Sequence, residues 1–174
     1  MPLDQFETAR LRGHRLLASH FDEVRRLQTD PDVMAHLGGV RSEQQTTAYF
    51  ERNLRHWDEF GYGVYLLSAR DSEEVLGLGC LRGLTFEGVA EIEIGYLFFP
   101  QYWRKGLAVE VARACLALGF EALGAASLVA VTHPDNVGSR RVMEKVGMHF
   151  DRAATLDGQP VVLYRVDAPG GETR

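Results

Sequence analysis

The sequence predicts a mixed α/β protein of one domain, in which α+β layers of helix and strand surround one sheet. Three observations support this class: helical patterns come first, three strand patterns separated by short turns follow, and helices then alternate with strands. The chain has 174 residues, enough for one domain that buries about 70% of its unfolded surface. We expect residues 1–166 to form this domain and the polar 167–174 stretch to be a disordered tail.

The amino-terminal third is predicted to be mainly helical after one opening strand. The predictions rest on alternating or helically spaced apolar residues and on turn or capping residues at the boundaries. In chain order we expect a strand over 6–12, a helix over 20–29, a break at Asp30-Pro31-Asp32, a helical turn over 34–37, and a helix opened by the capping-box pair Ser42 and Gln45.

The pattern changes to strands after Gly61. Strand patterns over 62–70, 75–84 and 90–99 are separated by turn residues, which indicates an antiparallel meander. The remaining elements alternate in type. They are a largely apolar helix over 106–123, a strand over 127–132, an amphipathic helix over 136–146 stopped by Gly147, and strands over 148–156 and 160–166.

Composition and charge exclude several classes of protein. Hydrophobic residues make up 45% and charged residues 25% of the chain, as in ordinary soluble proteins. The 24 acidic residues outnumber the 19 basic residues, which argues against a nucleic-acid partner. No stretch approaches the roughly 20 apolar residues of a membrane span, and the amino terminus lacks the apolar run of a secretory signal. We therefore expect a cytoplasmic protein that binds neither nucleic acid nor membrane.

Metal and disulfide sites are not expected. Cys80 and Cys115 are far apart, neither belongs to a C-x-x-C pair, and the six histidines form no ligand-like pair. We expect both cysteines to be ordinary buried thiols.

The join between the strand over 90–99 and the helix over 106–123 is the first candidate site. A short loop carries Arg104 and Lys105 directly before Gly106. Free amide groups at a helix start bind phosphate, glycine allows close approach of the backbone, and the two cations add positive charge. The alternative is a basic loop that only caps a buried helix.

This loop resembles motif A of the GNAT acetyltransferases, the acetyl-CoA-dependent N-acetyltransferase superfamily, whose pyrophosphate loop reads Q/R-x-x-G-x-G/A. Gly106 and Ala108 match the motif, and Trp103 replaces its first Gln or Arg. An aromatic residue there is familiar in the branch resembling the ribosomal-protein N-terminal acetyltransferases. Arg104 stands where that branch usually has glycine.

Two further segments resemble the same family. Asn136 and Ser139 match its N-x-x-S, and residues 144–148 are similar to its E-K-x-G-F; for Asn136 the alternative is a helix N-cap. The stretch over 7–12 resembles, more weakly, the T-x-R-L-x-L opening of the branch. Together these resemblances span most of the chain.

The resemblance implies a GNAT-type acyl-CoA N-acyltransferase fold, with a central mixed, mostly antiparallel sheet flanked by helices. The strands over 90–99 and 127–132 would be parallel neighbours that splay apart around the pantetheine arm of acetyl-CoA, the implied cosubstrate. Backbone groups of the first strand would bond to the arm as an added strand does, and the loop would hold the pyrophosphate. The implied cofactor-binding residues are Leu97, Phe98, Phe99, Arg104, Lys105, Gly106, Leu107, Ala108, Asn136 and Ser139.

Acetyl transfer needs a neutral amine and a stabilised leaving thiolate, which suggests two catalytic residues. Strand alternation places Glu91 and Glu93 on one face, and Glu93 is the preferred general base, with Glu91 as the alternative if the register differs. Both acids could instead lie on a solvated strand face. Many family members use a tyrosine seven residues after the motif asparagine as general acid, but that position is Met143 here. Ser139 is therefore the candidate that hydrogen-bonds or protonates the departing sulfur.

The sequence thus predicts an N-acetyltransferase that transfers the acetyl group of acetyl-CoA to a primary amine by direct attack in a ternary complex. The acceptor is a protein amino-terminal α-amine or a small-molecule amine, and we expect the amino-terminal helices and the loop over 83–88 to select it. Trp57, Tyr62 and Met34 could line its pocket, although such residues are more often core. The alternative function is a non-catalytic acetyl-CoA-binding module. Monomer and homodimer both stay open.

Overall fold

One eight-stranded sheet organises the computed structural model, which describes residues 2–170. The strand order is β1-β2-β3-β4-β5-β6-β8-β7, and every neighbouring pair is antiparallel except β5 and β6. The strands are β1 Gln5–Glu7, β2 Leu11–Arg15, β3 Val64–Ala69, β4 Val75–Phe86, β5 Val89–Phe98, β6 Ser127–Thr132, β7 His149–Leu156 and β8 Gln159–Asp167. The predicted mixed, mostly antiparallel sheet flanked by helices is confirmed.

Five α-helices pack on this sheet within residues 2–170. They are α1 Phe21–Gln28, α2 Pro31–Met34, α3 Glu43–Phe60, α4 Leu107–Ala117 and α5 Val137–Lys145. A π-helical turn, Leu118–Ala122, continues α4, and short 3-10 turns cover Ala18–His20 and Pro100–Tyr102. No helix of the described residues is both long and apolar enough to cross a membrane.

Local capping chemistry sets the limits of α3, as the sequence predicted. The Ser42 hydroxyl accepts a hydrogen bond from the Gln45 amide at 3.2 Å, and the Gln45 side chain accepts one from the Ser42 amide at 2.9 Å. Gly61 ends the helix with a φ of 73°, a left-handed conformation that glycine adopts without a Cβ penalty.

One amino-terminal prediction is wrong and another is incomplete. The single strand over 6–12 is two strands joined by a tight turn, in which the amide and carbonyl of Leu11 bond to the hydroxyl and amide of Thr8. Asp30-Pro31-Asp32 ends the first helix as predicted, since α1 stops at Gln28, but it also starts α2 earlier than the turn expected over 34–37, because the Asp30 carboxylate caps α2 and Pro31 occupies its first turn. Proline at that position loses no helical hydrogen bond.

The carboxyl-terminal boundary lies slightly beyond the predicted one. Asp167 still belongs to β8, and the Ala168 amide donates to the Ala126 carbonyl at 2.9 Å. Residues 171–174 of the expected tail lie outside the described residues.

Candidate active site

The parallel pair β5 and β6 opens into a gap soon after it forms. In this part of the sheet the two strands share one register position, Glu93 with Val129, whereas the antiparallel β4–β5 pair continues along the whole of β5. The backbone of β5 beyond Glu93 therefore has an open side toward β6. This opening has the form that the sequence resemblance implied.

The amino-terminal end of α4 lies beyond the carboxyl end of β5 and has no side-chain cap. Gly106 is its N-cap residue, with a φ of 79°, and no side chain within residues 2–170 accepts from the first amides of α4. The starts of α3 and α5 differ, because Ser42 and Asn136 cap them. Uncapped first-turn amides carry a partial positive charge, so this end of α4 can hold an anion against the exposed loop before it.

The loop before α4 is held by its aromatic residue and strained at one position. Trp103 Nε1 donates to the Phe98 carbonyl at 2.8 Å, and the Lys105 ammonium lies 5.6 Å from the Tyr102 ring centroid. Arg104 has a φ of 61°, which is unfavourable for a residue with a Cβ. This conformation explains why glycine suits the position.

The backbone contacts of β5 correct one part of the expected arm site. The Phe99 amide donates to the Leu76 carbonyl at 3.1 Å, so Phe99 faces β4 and its amide is not available to a ligand. Backbone groups alternate in direction along a strand, so Leu97 also faces β4. Phe98 and Tyr96 face the gap instead, although the Phe98 carbonyl already accepts from Trp103.

The two motif residues of α5 contact each other. Asn136 Oδ1 accepts from the Ser139 amide at 3.1 Å, so the N-cap interpretation of Asn136 is correct. That bond leaves the Asn136 side-chain NH₂ group to donate elsewhere. Met143, at the position where many relatives have tyrosine, is buried in the core and 2% exposed.

Sequence reasoning missed Tyr96 as a site residue. The Tyr96 hydroxyl donates to the Ser139 carbonyl at 3.0 Å and lies 3.1 Å from Ser139 Oγ, so it links β5 to the first turn of α5. Burial raises the pKa of Tyr96 to about 12, and the bond with Ser139 only partly offsets this. The hydroxyl is therefore protonated at neutral pH.

Glu93 is buried in an ion pair, which makes the solvated-face alternative wrong. It is 8% exposed, and Arg82 Nε, on the neighbouring strand position of β4, donates to its Oε2 at 3.0 Å. The nearby carboxylate raises the pKa of Arg82, so the guanidinium stays charged. No hydrogen bond to Glu93 Oε1 occurs within residues 2–170, so this oxygen has no protein donor there.

Glu91 is held differently from Glu93. Arg165 of β8 donates from its two terminal nitrogens to Glu91 Oε2 at 3.1 Å and Oε1 at 2.6 Å. Both carboxylate oxygens are therefore occupied in a fork-like pair that joins β5 to β8. This geometry favours Glu93 over Glu91 as a base.

A groove of about 380 Å³ lies between the α2–α3 loop and the β7–β8 turn. His36 and His133 stack in it with ring centroids 5.9 Å apart, and Arg41 and Asp157 also line it. Met34 and Trp57 are buried core residues, as their spacing suggested. Across residues 2–170, no group of three or more His, Cys, Asp or Glu side chains is placed to hold a metal ion.

Comparison with known proteins agrees with this geometry. The family model described as "Acetyltransferase (GNAT) domain" matches residues 10–149. The uncharacterized protein YkkB of Bacillus subtilis (strain 168) is 37% identical over 140 residues, which cover 79% of this chain and 80% of YkkB.

Solved structures share the fold over nearly the whole chain. An acetyltransferase from Agrobacterium tumefaciens strain C58 superposes with a TM-score of 0.82 at 27% identity, covering 93% of each chain. RimL, a ribosomal L7/L12 alpha-N-protein acetyltransferase in complex with coenzyme A, has a TM-score of 0.73 at 16% identity, covering 92% of this chain and 96% of RimL. By its family model and its fold, the chain belongs to the GNAT family of N-acetyltransferases.

Proposed function

We propose that this protein transfers the acetyl group of acetyl-CoA to a primary amine by direct attack in a ternary complex. The observation that carries the proposal is the opening of the β5–β6 pair just beyond Glu93. Along β5, the Glu93 carboxylate is followed in order by the unpaired strand edge facing β6 and the uncapped start of α4. A coenzyme with an extended arm and a diphosphate fits this arrangement.

In the proposed binding mode, each part of the coenzyme contacts protein groups of complementary charge or hydrogen-bonding capacity. The first amides of α4, together with Arg104 and Lys105, would hold the diphosphate. The gap-facing backbone of Tyr96 and Phe98 would bond to the pantetheine arm, and the Asn136 NH₂ group would donate to one of its carbonyls. When bound, acetyl-CoA supplies the acetyl group as a thioester.

Glu93 is proposed to remove the proton from the acceptor amine, directly or through water. An α-amine with a pKa near 7.8 is about one part in seven neutral at pH 7, so a base increases the reactive fraction. The new N–C bond replaces the C–S bond of the thioester. The proton leaves the amine for Glu93 Oε1, while Arg82 remains on Oε2 and fixes the carboxylate.

Ser139 and Tyr96 are proposed to stabilise the leaving sulfur by hydrogen bonding. Because the Tyr96 hydroxyl donates to the Ser139 carbonyl, its own oxygen can accept the Ser139 Oγ–H in the resting site. That hydroxyl proton can turn to the thiolate as negative charge forms there. Tyr96 is therefore a positioning residue, and Ser139 is the group that meets the sulfur.

The acceptor class we propose is a protein amino-terminal α-amine or a small-molecule amine, as in the branch that the sequence resembles. It would enter by the groove that contains His36 and His133. Both a monomer and a homodimer are compatible with this proposal.

The test is acetyl-CoA turnover with a panel of α-amino peptides, lysine peptides and small amines, followed through the release of free thiol. We expect turnover with at least one primary amine and a fall in turnover for Glu93→Gln. Binding of CoA without acetyl transfer to any amine would instead support a non-catalytic acetyl-CoA-binding module.

A further inference from the structure

Arg10, in the turn between β1 and β2, lies against the loop that precedes α4. Its Nη1 donates to the Lys105 carbonyl at 2.8 Å, and its Nε donates to Glu110 Oε1 at 2.5 Å. A Cβ placed on Gly106 would be 3.4 Å from Arg10 Nη2, so the guanidinium borders the helix start directly. The turn therefore reaches a loop 95 positions away in the chain.

The partner of Arg10 on α4 is the Glu110 carboxylate, whose negative charge lies close to the proposed anion site. Glu110 lies in the first turn of α4, the same turn whose amides can hold an anion. The Thr8 hydroxyl donates to Glu110 Oε2 at 2.8 Å, and the Arg10 amide also donates to that oxygen at 3.3 Å. Burial would raise the pKa of Glu110, but the bonds from Thr8 and Arg10 and the charge of Arg10 outweigh it and lower the pKa.

These contacts give Arg10 two effects at the helix start. It fixes the Lys105 carbonyl by a hydrogen bond, which orients the peptide directly before Gly106. It also offsets the negative charge of Glu110, which would otherwise repel a diphosphate bound at the same turn. Half of the Arg10 side chain remains exposed, so its positive charge stays in contact with solvent beside Gly106.

We infer that Arg10 is a positioning residue for the diphosphate of the coenzyme, through Lys105 and Glu110. This inference rests on the proposed function, because it concerns the same cosubstrate. It gives the weakly matching Thr8-to-Leu11 segment a physical role. That role concerns coenzyme affinity and not acetyl transfer itself.

The experiment compares two acetyl donors, acetyl-CoA and S-acetyl-pantetheine, which lacks the diphosphate. The variants are Arg10→Gln and Arg10→Lys, with Arg12→Gln as the matched control. Arg12 is a nearby arginine paired with Glu7 at 3.1 Å, and within residues 2–170 its side chain forms no hydrogen bond or ion pair with the loop before α4. Calorimetry with CoA, KM for each donor and a thermal melt are measured for every protein.

We expect Arg10→Gln to weaken CoA binding about tenfold, since the bond to the Lys105 carbonyl and the ion pair with Glu110 are both lost. Its KM for S-acetyl-pantetheine should stay within about twofold, and Arg12→Gln should match the wild type. Arg10→Lys should lose an intermediate amount, because one ammonium cannot bridge both partners as a guanidinium does. It also tests the inference if Arg10→Gln fails to fold.

Two results would overturn the inference: unchanged CoA affinity in a folded Arg10 variant, or equal losses with both donors, which would indicate a general structural role. A wild-type protein that binds no CoA would overturn the proposed function as well, so the wild-type titration separates the two failures.

Discussion

Glu93 and Tyr96 are three positions apart on β5, so their side chains leave opposite faces of the sheet. Glu93 meets Arg82 on one face, and Tyr96 meets Ser139 of α5 on the other. In the proposed mechanism, proton removal from the amine and stabilisation of the thiolate would therefore occur on the two sides of one strand. The gap between β5 and β6 is the passage through which the reacting groups would meet.

Glu93→Gln is expected to lower kcat about a hundredfold near pH 7, within the usual range for loss of a general base. The loss should shrink as pH rises, because the amine then loses its proton without help. A pH-rate profile for wild type and variant measures this difference, and CoA affinity should be unchanged.

Glu91→Gln is the control for that profile. It removes a carboxylate from the same strand face but breaks the Arg165 pair, so it should lower the melting temperature and leave the pH dependence of the rate as in the wild type. If Glu93→Gln retains full activity at every pH, Glu93 is not the base.

Tyr96→Phe removes the hydroxyl that positions Ser139 and keeps the buried ring. We expect kcat with acetyl-CoA to fall about tenfold, since the role acts through one neutral hydrogen bond. The fall should nearly vanish with an acetyl aryl thioester, whose thiol has a low pKa and leaves without stabilisation. Comparing kcat for the two donors tests the assignment.

Tyr164→Phe is a suitable control for the tyrosine variant. Tyr164 is buried, and its hydroxyl also contacts α5, through Arg140 and Glu144 at 3.1 Å each. Its loss should reduce stability by about 1 kcal/mol and leave the ratio of rates with the two donors unchanged. The same change of ratio in both variants would show that Tyr96 acts only through packing.

At the scale of elements, the sequence correctly predicted the features that depend on residues close together in the chain. The Ser42–Gln45 box and the strand over 127–132 are correct because capping and apolar runs are local. The helical turn expected over 34–37 begins earlier, as α2 at Pro31, because the same residues that break one helix can start the next. The Glu93–Arg82 pair and the Tyr96–Ser139 bond depend on strand register and on the placement of α5. Neither is encoded by spacing along the chain.

The loop before α4 departs from glycine at Arg104, and the structure allows this departure to be tested. Arg104→Gly should relieve the left-handed strain and stabilise the protein by about 1 kcal/mol. CoA affinity should fall severalfold, because a positive charge beside the phosphate site is lost. Arg104→Ala should show the same loss of affinity without the gain in stability. A thermal melt of both variants measures the effect of backbone strain on stability, and a CoA titration measures the effect of the charge on affinity. If Arg104→Gly does not raise the melting temperature, the conformation of Arg104 is not strained.

At the scale of the whole molecule, the gap divides the sheet into β1–β5 and β6–β8. The Glu91–Arg165 pair holds one end, where Glu93 and Val129 still meet, and the Tyr96–Ser139 bond crosses toward the open end. A coenzyme that binds both edges and the start of α4 would join the two parts. Binding should therefore affect more of the chain than its contact residues.

CoA is expected to stabilise the molecule as a whole and to protect one region most. At a hundredfold excess over Kd it should add about 2.7 kcal/mol, or roughly 5–10 °C in melting temperature for a chain of this size. Hydrogen exchange should slow at the gap-facing amides of β5, along β6 and in the first turns of α4 and α5, with β1 and β2 little changed.

Gly106→Val is the matched variant for this prediction. Its branched side chain would occupy the phosphate position at a φ of 79°, and because the site is exposed, the core stays intact. It should melt cooperatively and show neither the shift nor the protection. If the variant keeps both, the diphosphate binds away from Gly106; if protection is uniform over the sheet, the gap is not where the coenzyme joins the two parts.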